Sequence, residues 1–277
     1  MNNAEQVAYW NGPAGERWSR EQAVLDRAFE ALSRRLLGRA ALRPGERVLD
    51  VGCGCGTSTL AAADAVGPTG AVLGIDVSAP MLARARERSS ARPRVAYREC
   101  DASTEALEPT FDVVLSRFGV MFFRDPVAAF TNLRGALRPG GRLAFICWRP
   151  VAENEWARVP REAALQHVTP EPPQGPEEPG PFSFGDRARV ERILTGAGFT
   201  SVECVPVDEK VLVSDEGLDG AVEFAISAGP TARLLREVSD DVKNRVRAAL
   251  ATALRPYLAG NRMTLGGATW LVHARRE

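Results

Sequence analysis

Lysine and histidine are scarce in this chain. Of 35 basic residues, all but Lys210 and Lys243 are arginine, and the two histidines are His167 and His273. The 35 acidic residues bring the formal net charge to +0. A broad basic surface for nucleic acid or for an anionic membrane is therefore not predicted. The shortage of histidine also leaves few candidates for a general base.

Long apolar runs are also missing. No stretch approaches the ~20 residues needed to span a bilayer. Residues 1–6 are polar and lack the basic-then-apolar pattern of a signal peptide. We therefore expect a cytoplasmic protein without a membrane partner. The sequence leaves its oligomeric state open.

Cysteine is present at five positions, but not in a pattern that indicates disulfides or metal. In a reducing compartment the five thiols are expected to be free. Cys53 and Cys55 are separated by one residue, whereas zinc sites typically use C-x-x-C pairs or nearby histidines. No metal site is predicted.

The most informative stretch joins a short apolar run to a glycine-rich turn. Residues 47–51 are typical of a buried strand, and Gly52, Gly54 and Gly56 follow at alternate positions. Residues 57–66 then predict an alanine-rich helix, opened by hydroxyl residues suited to capping. Strand, glycine turn and helix together form the opening unit of a nucleotide-binding α/β sheet.

The spacing of these glycines bears on which cofactor is bound. A dinucleotide fingerprint, G-x-G-x-x-G, would need a third glycine where the chain has Thr57 or Thr59. The sequence instead reads D-x-G-x-G-x-G from Asp50. This resembles the first motif of class I S-adenosylmethionine-dependent methyltransferases. In that family the acid serves the amino-acid end of the cofactor, directly or through water. A simple tight strand–helix turn is the alternative for the loop alone.

Two further acids extend the resemblance. Asp76 ends the next predicted strand, about 20 residues after the glycine loop, where an acid can accept hydrogen bonds from ribose hydroxyls. The resemblance puts Asp101, at the end of the third strand, near the adenine amino group. Residues 137–143 resemble the late turn of the same family. Residues 45–150 thus resemble it throughout, closest to the ubiquinone and menaquinone biosynthesis methylases.

The resemblance implies S-adenosylmethionine as cofactor and a set of residues around it. These are Asp50, Gly52, Cys53, Gly54, Gly56, Asp76, Val77, Met81, Asp101, Ala102 and Ser116. Ser78 is expected to cap the helix that follows Asp76. Trp10 is added from a cluster with Tyr9 and Trp18, because aromatic faces favour a cationic sulfonium. This cluster is either a lid over the cofactor or a strap that pins the N-terminal helix.

The predicted fold is α/β: a Rossmann-like, mostly parallel seven-stranded sheet flanked by helices, with a helical cap. One domain is expected over 1–277, its core at 45–150, 184–214 and 262–277, its cap at 1–44, 151–183 and 215–261. The family places its last two strands as an antiparallel edge pair, so the third cap segment would be an insertion. Residues 4–44 are expected to be helical, and the proline-rich residues 169–181 predict a mobile loop.

The expected reaction requires the protein mainly to align the methyl donor with the acceptor. Methyl transfer from a sulfonium is an in-line displacement, so the protein must orient donor and acceptor and exclude water. A base is needed only where the acceptor loses a proton. His167 in the cap is the candidate base, whereas His273 in the last strand is expected to be structural.

Substrate contacts are expected where strands four and five end, because ligands of open α/β sheets lie outside the carboxyl ends of the strands. The predicted set is Arg117, Phe118, Phe122, Trp148 and Arg149. The aromatic rings would enclose a small organic molecule, and the two arginines would bind a carboxylate on it. The alternative for Arg117 is an ion pair with an acid such as Glu99 or Asp125.

Several functions fit less well. The fourth strand ends in Ser116-Arg117-Phe118-Gly119 rather than the [DN]-P-P-[YFW] of adenine- or glutamine-modifying methylases. The sequence therefore predicts a methyltransferase for a small metabolite, without a nucleic-acid partner. Methylation of a peptide or protein terminus, a nicotinamide-dependent oxidoreductase and a non-catalytic binding subunit are the alternatives. The sequence does not select oxygen, nitrogen, carbon or sulfur as the acceptor atom.

Overall fold

Eight strands form one sheet in the computed structural model, which describes residues 3–169, 175, 177–227, 229–236 and 238–277. They are β1 (Arg47–Val51), β2 (Ala71–Asp76), β3 (Val95–Glu99), β4 (Phe111–Arg117), β5 (Leu137–Trp148), β6 (Thr200–Ser214), β7 (Leu258–Ala259) and β8 (Arg262–Arg275). The order is β3-β2-β1-β4-β5-β8-β6, with β7 paired to β8. The first five strands in this order are parallel, and β8 is antiparallel to both β5 and β6. The predicted Rossmann-like sheet is confirmed, and the two-residue β7 is an additional strand.

Twelve α-helices surround the sheet in the described part of the chain. They are α1 (Asn3–Asn11), α2 (Pro13–Arg20), α3 (Gln22–Ala28), α4 (Glu30–Ala40), α5 (Thr57–Val66), α6 (Ala79–Arg88), α7 (Pro126–Ala136), α8 (Glu155–Ala164), α9 (Arg187–Gly196), α10 (Gly217–Ser227), α11 (Gly229–Leu234) and α12 (Asp240–Leu254). Helices α10 to α12 connect β6 to β8, as expected for an insertion between the edge strands. No described helix is long and apolar enough to cross a membrane.

The N-terminal region is broken into four helices, whereas the sequence predicted one helical stretch. Pro13 occupies the start of α2, where its missing N–H costs nothing, and Gly12 precedes it. Further breaks fall at Glu21 and Phe29. The breaks let this segment change direction between α6, which α2 contacts, and strands β5 and β8, which α4 contacts. Within the predicted proline-rich loop, residues 170–174 and 176 lie outside the described part of the chain.

Strand β5 shows how the sheet is packed on both faces. Alternate side chains of a strand point to opposite faces. Arg142 and Trp148 face α4 and the end of α3, where Trp148 contacts Phe29 with ring centroids 5.8 Å apart. Phe145 points the other way, to Phe130 of α7 at 5.5 Å. Both faces of this strand are thus covered, which explains its nearly continuous apolar sequence.

The strand order creates a crevice at one edge of the sheet, where the candidate site lies. After β1 the chain moves outward through β2 and β3, and then returns to place β4 on the other side of β1. The loops that leave β1 and β4 therefore diverge at one point of the sheet edge. Ligands of open α/β sheets bind at such a switch point, outside the carboxyl ends of the strands.

Arg142, in the middle of β5, connects this strand to the end of α4. Its guanidinium donates to the carbonyls of Ala40 (2.7 Å) and Ala41 (2.8 Å) and to both carboxylate oxygens of Glu46 (2.8 Å each). These carbonyls belong to the helix end, where backbone acceptors lack partners within the helix. Burial alone would raise the pKa of Glu46, but the bonds and charges of Arg142 and Arg43 hold it below its usual value.

We expect Arg142→Met to lower the free energy of unfolding by about 3 kcal/mol, because Glu46 would lose its partner while nearly buried. Arg138→Met is the matched control on the same strand. Arg138 pairs with Asp112 at 3.0 Å and its side chain is 48% exposed, so its loss should cost less than about 0.5 kcal/mol. Urea denaturation of the two variants measures the difference. Equal losses would contradict the role assigned to Arg142.

Candidate functional site

The glycine loop after β1 touches the loop after β4. A Cβ atom on Gly52 would lie 2.6 Å from the Cα of Gly119, so a side chain cannot be accommodated there. Gly52 also has φ +65°, a conformation that side chains disfavour. The N–H groups of Gly52 and Cys53 donate to the carbonyl of Ile75 at 2.9 and 3.1 Å. The loop is thereby fixed against both neighbouring strands.

Gly54 is different, because the space in front of it is open. A Cβ there would meet one described atom within 4 Å, the Sδ of Met81 at 3.7 Å. Gly54 and Met81 both line the cavity described below. The backbone of the loop is thus left bare on the side where a ligand can approach it. This is the arrangement that a glycine loop provides for a cofactor.

Asp50 lies behind the loop rather than on the cavity wall. It is fully buried, and its Oδ2 accepts hydrogen bonds from the hydroxyls of Ser58 (2.7 Å) and Thr59 (2.6 Å). These hydroxyls were predicted to cap α5, but the N-cap is Gly56 and the hydroxyls turn to the acid instead. Its Oδ1 has no hydrogen-bond partner among the described atoms. Burial raises the pKa of Asp50 to about 6.

Asp76 is held by backbone N–H groups at the rim of the cavity. Its carboxylate accepts from the N–H of Gly54 at 2.8 Å and of Ser78 at 2.9 Å. Burial raises its pKa, and these bonds oppose the shift. Each carboxylate oxygen can accept a further bond, so Asp76 can still receive a ligand hydroxyl. Asp76 ends β2 as predicted, and its binding of a ribose stays a prediction.

The N-terminus of α6 is capped by a residue from another helix. The hydroxyl of Ser78 was expected to cap α6, but it donates to the carbonyl of Trp10 at 2.7 Å. Asn11 supplies the cap instead: its Oδ1 accepts from the N–H of Ala79 at 2.9 Å, and its amide donates to the carbonyl of Val77 at 2.7 Å. Asn11 carries no sequence signal for this role, although its neighbours Tyr9 and Trp10 mark the segment.

A cavity of about 520 Å³ lies between the glycine loop, the ends of β4 and β5, and the helical cap. The predicted residues that line it are Trp10, Gly52, Cys53, Gly54, Asp76, Val77, Met81, Asp101, Ala102, Arg117, Phe118, Phe122 and Trp148. Asp50, Gly56 and Ser116 lie behind this wall. Ser116 is fully buried and donates to the carbonyl of Val51 at 2.7 Å, so its role is to join β4 to β1.

An aromatic wall stands at the ends of β4 and β5. Phe118 stacks on Trp148 with centroids 4.3 Å apart and ring planes 6° apart. Phe118 has φ +63°, an uncommon value for a bulky residue, and such backbone strain often occurs at functional sites. Phe29 and Trp156 complete the wall with edge-on and tilted contacts to Trp148.

The N-terminal aromatic cluster closes the opposite side. The ring of Trp10 meets Phe122 edge-on at 5.3 Å and Trp18 at 5.8 Å. The guanidinium of Arg236, which follows α11, lies 4.6 Å from the centre of the Tyr9 ring. The segment is therefore attached to the core and to the inserted helices. That this segment opens and closes as a lid stays a prediction.

Arg149 and His167 do not reach the cavity. Arg149 pairs with Asp208 at 2.7 Å and with Glu153, and its guanidinium lies over the ring of Trp270 at 5.2 Å. Its predicted role as an anion ligand is wrong, because its charge is already paired outside the site. His167 is exposed on the turn after α8, so it is not placed to act as a base.

Two predicted residues remain, His273 and Arg117. His273 lies in β8 away from the cavity, and burial with nearby Arg39 and Arg275 lowers its pKa. Arg117 lines the cavity, but its ionic neighbour is Asp26 of α3 and not Glu99 or Asp125. Asp26 could not be found from sequence, because it lies on a helix that packs here only through the tertiary fold.

We expect Asp50→Asn to flatten the pH dependence of stability in the ligand-free protein. The native pKa of about 6 lies above the ordinary value of 3.8 for an aspartate, so this acid contributes stability below pH 4 that is lost as the pH rises through 6. Asparagine cannot ionise, so the variant should gain about 3 kcal/mol relative to the natural protein between pH 4 and pH 7. Urea denaturation across this range measures it.

The control for this prediction is Asp64→Asn on α5, whose side chain is 64% exposed. Its stability should follow that of the natural protein within about 0.5 kcal/mol at every pH. Parallel curves for Asp50→Asn and the natural protein would contradict the assignment of the raised pKa to Asp50.

Comparisons with known proteins agree with this geometry. A family model described as a methyltransferase domain matches residues 48–141. Nocamycin O-methyltransferase of Saccharothrix syringae is 32% identical over 250 residues, which are 85% of this chain and 87% of that protein. Aklanonic acid methyltransferase DauC of Streptomyces sp. (strain C5) is 37% identical over 149 residues, covering 50% of this chain and 68% of that protein.

A solved structure extends the likeness to the fold. Phosphoethanolamine N-methyltransferase 2 of Haemonchus contortus, in complex with S-adenosyl-L-methionine, superimposes with a TM-score of 0.57 at 20% identity, covering 97% of this chain and 59% of that one. The family does not favour the nicotinamide-dependent or non-catalytic alternatives. From the glycine loop, the sheet order and these relatives, the chain belongs to the class I S-adenosylmethionine-dependent methyltransferases, an enzyme whose cofactor is S-adenosylmethionine.

Proposed function

We propose that this methyltransferase acts on a small organic molecule held between the aromatic wall and the helical cap. The observation that carries the proposal is the cavity of about 520 Å³ that joins the glycine loop to Trp148, Trp156 and the cap helices. A site of this size suits a small ligand next to the reactive end of a cofactor. A peptide terminus is the competing acceptor.

We also place the protein in the cytoplasm. Its five cysteines are free, which fits a reducing compartment.

The cofactor is assigned to the half of the cavity beside β1, β2 and β3. Gly52 and Gly54 would let its amino-acid end lie against the bare loop, with Cys53 beside them. Asp76 would accept hydrogen bonds from its ribose, with Val77 and Met81 against the same group. Asp101 and Ala102 would lie beside the adenine of the cofactor. The fit rests on the open space at Gly54 and on the free accepting capacity of Asp76.

The acceptor is assigned to the half beside β4, β5 and the cap. Phe118, Phe122 and Trp148 provide broad apolar faces, and Arg161 of α8 lines the same cavity. These groups suit a largely apolar molecule with a polar or anionic substituent. The two relatives are named for nocamycin and aklanonic acid, both small molecules, which supports this class of acceptor.

The protein's part in the reaction is orientation and exclusion of water. S-adenosylmethionine supplies a methyl group that is already activated. The stacked pair Phe118 and Trp148 would fix the plane of the acceptor, and Trp10 with the N-terminal helices would keep water out. Neither histidine lines the cavity in the described part of the chain. An acceptor that is already nucleophilic at neutral pH, such as a carboxylate, would need no base from the cavity wall.

We expect Gly54→Ala to weaken binding of S-adenosylhomocysteine at least tenfold, because the new methyl group would fill the open space before the loop. Gly260→Ala, in the turn between β7 and β8, is the matched control. Both glycines have positive φ, +53° and +61°, and Gly260 has nothing within 4 Å of a Cβ. Each change should cost about 1–2 kcal/mol of stability from backbone strain. Calorimetry with both variants separates strain from the cofactor site; equal affinities would refute this placement of the cofactor.

We expect the methyl group to reach a small molecule rather than a macromolecule. A bacterial extract, divided by ultrafiltration into small and large components, would be incubated with the enzyme and methyl-labelled S-adenosylmethionine. The label should appear in the small, organic-extractable fraction, since the cavity is lined by apolar rings. Gly54→Ala gives the background. Label found solely in the protein fraction would favour the peptide or protein acceptor.

A further inference from the structure

Arg117 is a nearly buried cation on the cavity wall. It is the last residue of β4 and directly precedes the strained Phe118. Its side chain is 13% exposed, and it lines the cavity. A charge removed from water in this way is costly unless protein or ligand groups compensate it. What surrounds the guanidinium therefore decides what it can bind.

Few protein groups satisfy this guanidinium. An arginine carries five N–H donors. Among the described residues, one hydrogen bond joins it, from Nη1 to the hydroxyl of Ser33 at 3.0 Å. Asp26 lies 4.0 Å from Nη2, within ionic reach but beyond hydrogen-bond distance. Arg117 thus keeps donors that neither neighbour uses.

Asp26 is already engaged by other donors. Its Oδ1 accepts from the hydroxyl of Thr57 at 2.5 Å, and its Oδ2 accepts from Arg88 at 2.8 Å and from Gln22. Arg88 also donates to the carbonyl of Cys55 at 2.6 Å. Asp26 therefore fixes α3 to the glycine loop, and its charge is shared between Arg88 and Arg117. One carboxylate cannot fully compensate two guanidinium groups.

The unused donors of Arg117 lie beside the glycine loop. Asp26, Thr57 and Arg117 line one cavity together with Gly52 and Gly54. The buried Asp50 is also close enough to act on the charge of Arg117. This corner is where the family resemblance puts the amino-acid end of the cofactor, an ammonium and a carboxylate. A cation with spare donors complements the carboxylate of that pair.

We propose that Arg117 binds the carboxylate of the amino-acid end of S-adenosylmethionine, reaching it from the end of β4. This rests on the proposed placement of the cofactor along the glycine loop. The planar guanidinium can offer two parallel N–H groups to a carboxylate. The acceptor's carboxylate is the weaker candidate, because Asp26, the ionic neighbour of Arg117, bonds to Thr57 at the end of the glycine loop. The aromatic wall instead extends from Phe118 toward Trp156.

The test pairs a change in the protein with a change in the ligand. Binding of S-adenosylhomocysteine and of decarboxylated S-adenosylhomocysteine would be measured by calorimetry for the natural protein and for Arg117→Met. The natural protein should prefer the intact ligand by about 10- to 100-fold, the value of a charge-assisted contact. In Arg117→Met this preference should fall to about threefold or less, with the affinity for the decarboxylated ligand nearly unchanged.

Two further variants keep the result interpretable. Arg149→Met removes the arginine that follows the adjacent strand β5. The side chain of Arg149 is 18% exposed, similar to that of Arg117, but it is paired outside the cavity. It should retain the full preference for the intact ligand. Arg117→Lys keeps the charge but loses the planar fork, and should restore part of the preference. Thermal melting confirms that each variant is folded, and if Arg117→Met is not, Arg117→Lys and Arg117→Gln carry the measurement.

The possible outcomes separate this proposal from the proposed function. If the natural protein binds neither ligand, the cofactor assignment itself fails. If it prefers the intact ligand and Arg117→Met keeps that preference, the cofactor site stands and the role of Arg117 is refuted. An equal loss for both ligands would also refute it, because the carboxylate would then not be the group that Arg117 contacts.

Discussion

The approach of Gly52 to Gly119 is the constraint on which the site depends. Any Cβ at Gly52 would lie 2.6 Å from the backbone of the other loop, so the loops after β1 and β4 can meet only as bare backbone. This contact brings the glycine loop next to Phe118, which begins the aromatic wall. The halves of the cavity proposed for cofactor and acceptor are adjacent because the ends of β1 and β4 are adjacent, at the point where the strand order reverses.

A second layer of contacts attaches the N-terminal helices to the same loop. Asn11 caps α6, Ser78 bonds to Trp10, and Asp26 bonds to Thr57 and Arg88. Each of these bonds joins a cap residue to an element that also shapes the half of the cavity proposed for the cofactor. A bound cofactor and an ordered cap should therefore stabilise one another, because each orders groups that the other needs.

Local patterns in the sequence were enough to predict the sheet, the glycine loop and the acids at the ends of its strands. These features repeat at fixed spacings and depend on near neighbours in the chain. The partners of polar side chains were much less predictable. Arg149 and Arg117 look alike in sequence, yet one pairs with Asp208 and the other faces the cavity. Asp26 and Asn11 act across long sequence separations, and no periodicity marks such contacts.

The order of strands in the sheet has a consequence for synthesis of the protein. β8 lies between β5 and β6, although β6 is made first and three helices separate them in sequence. Until residues 262–275 leave the ribosome, β6 has no neighbour to pair with, and β5 presents an open edge. Unpaired edges favour association between chains. The inserted helices α10 to α12 therefore set the length of the interval in which the nascent chain is exposed to aggregation.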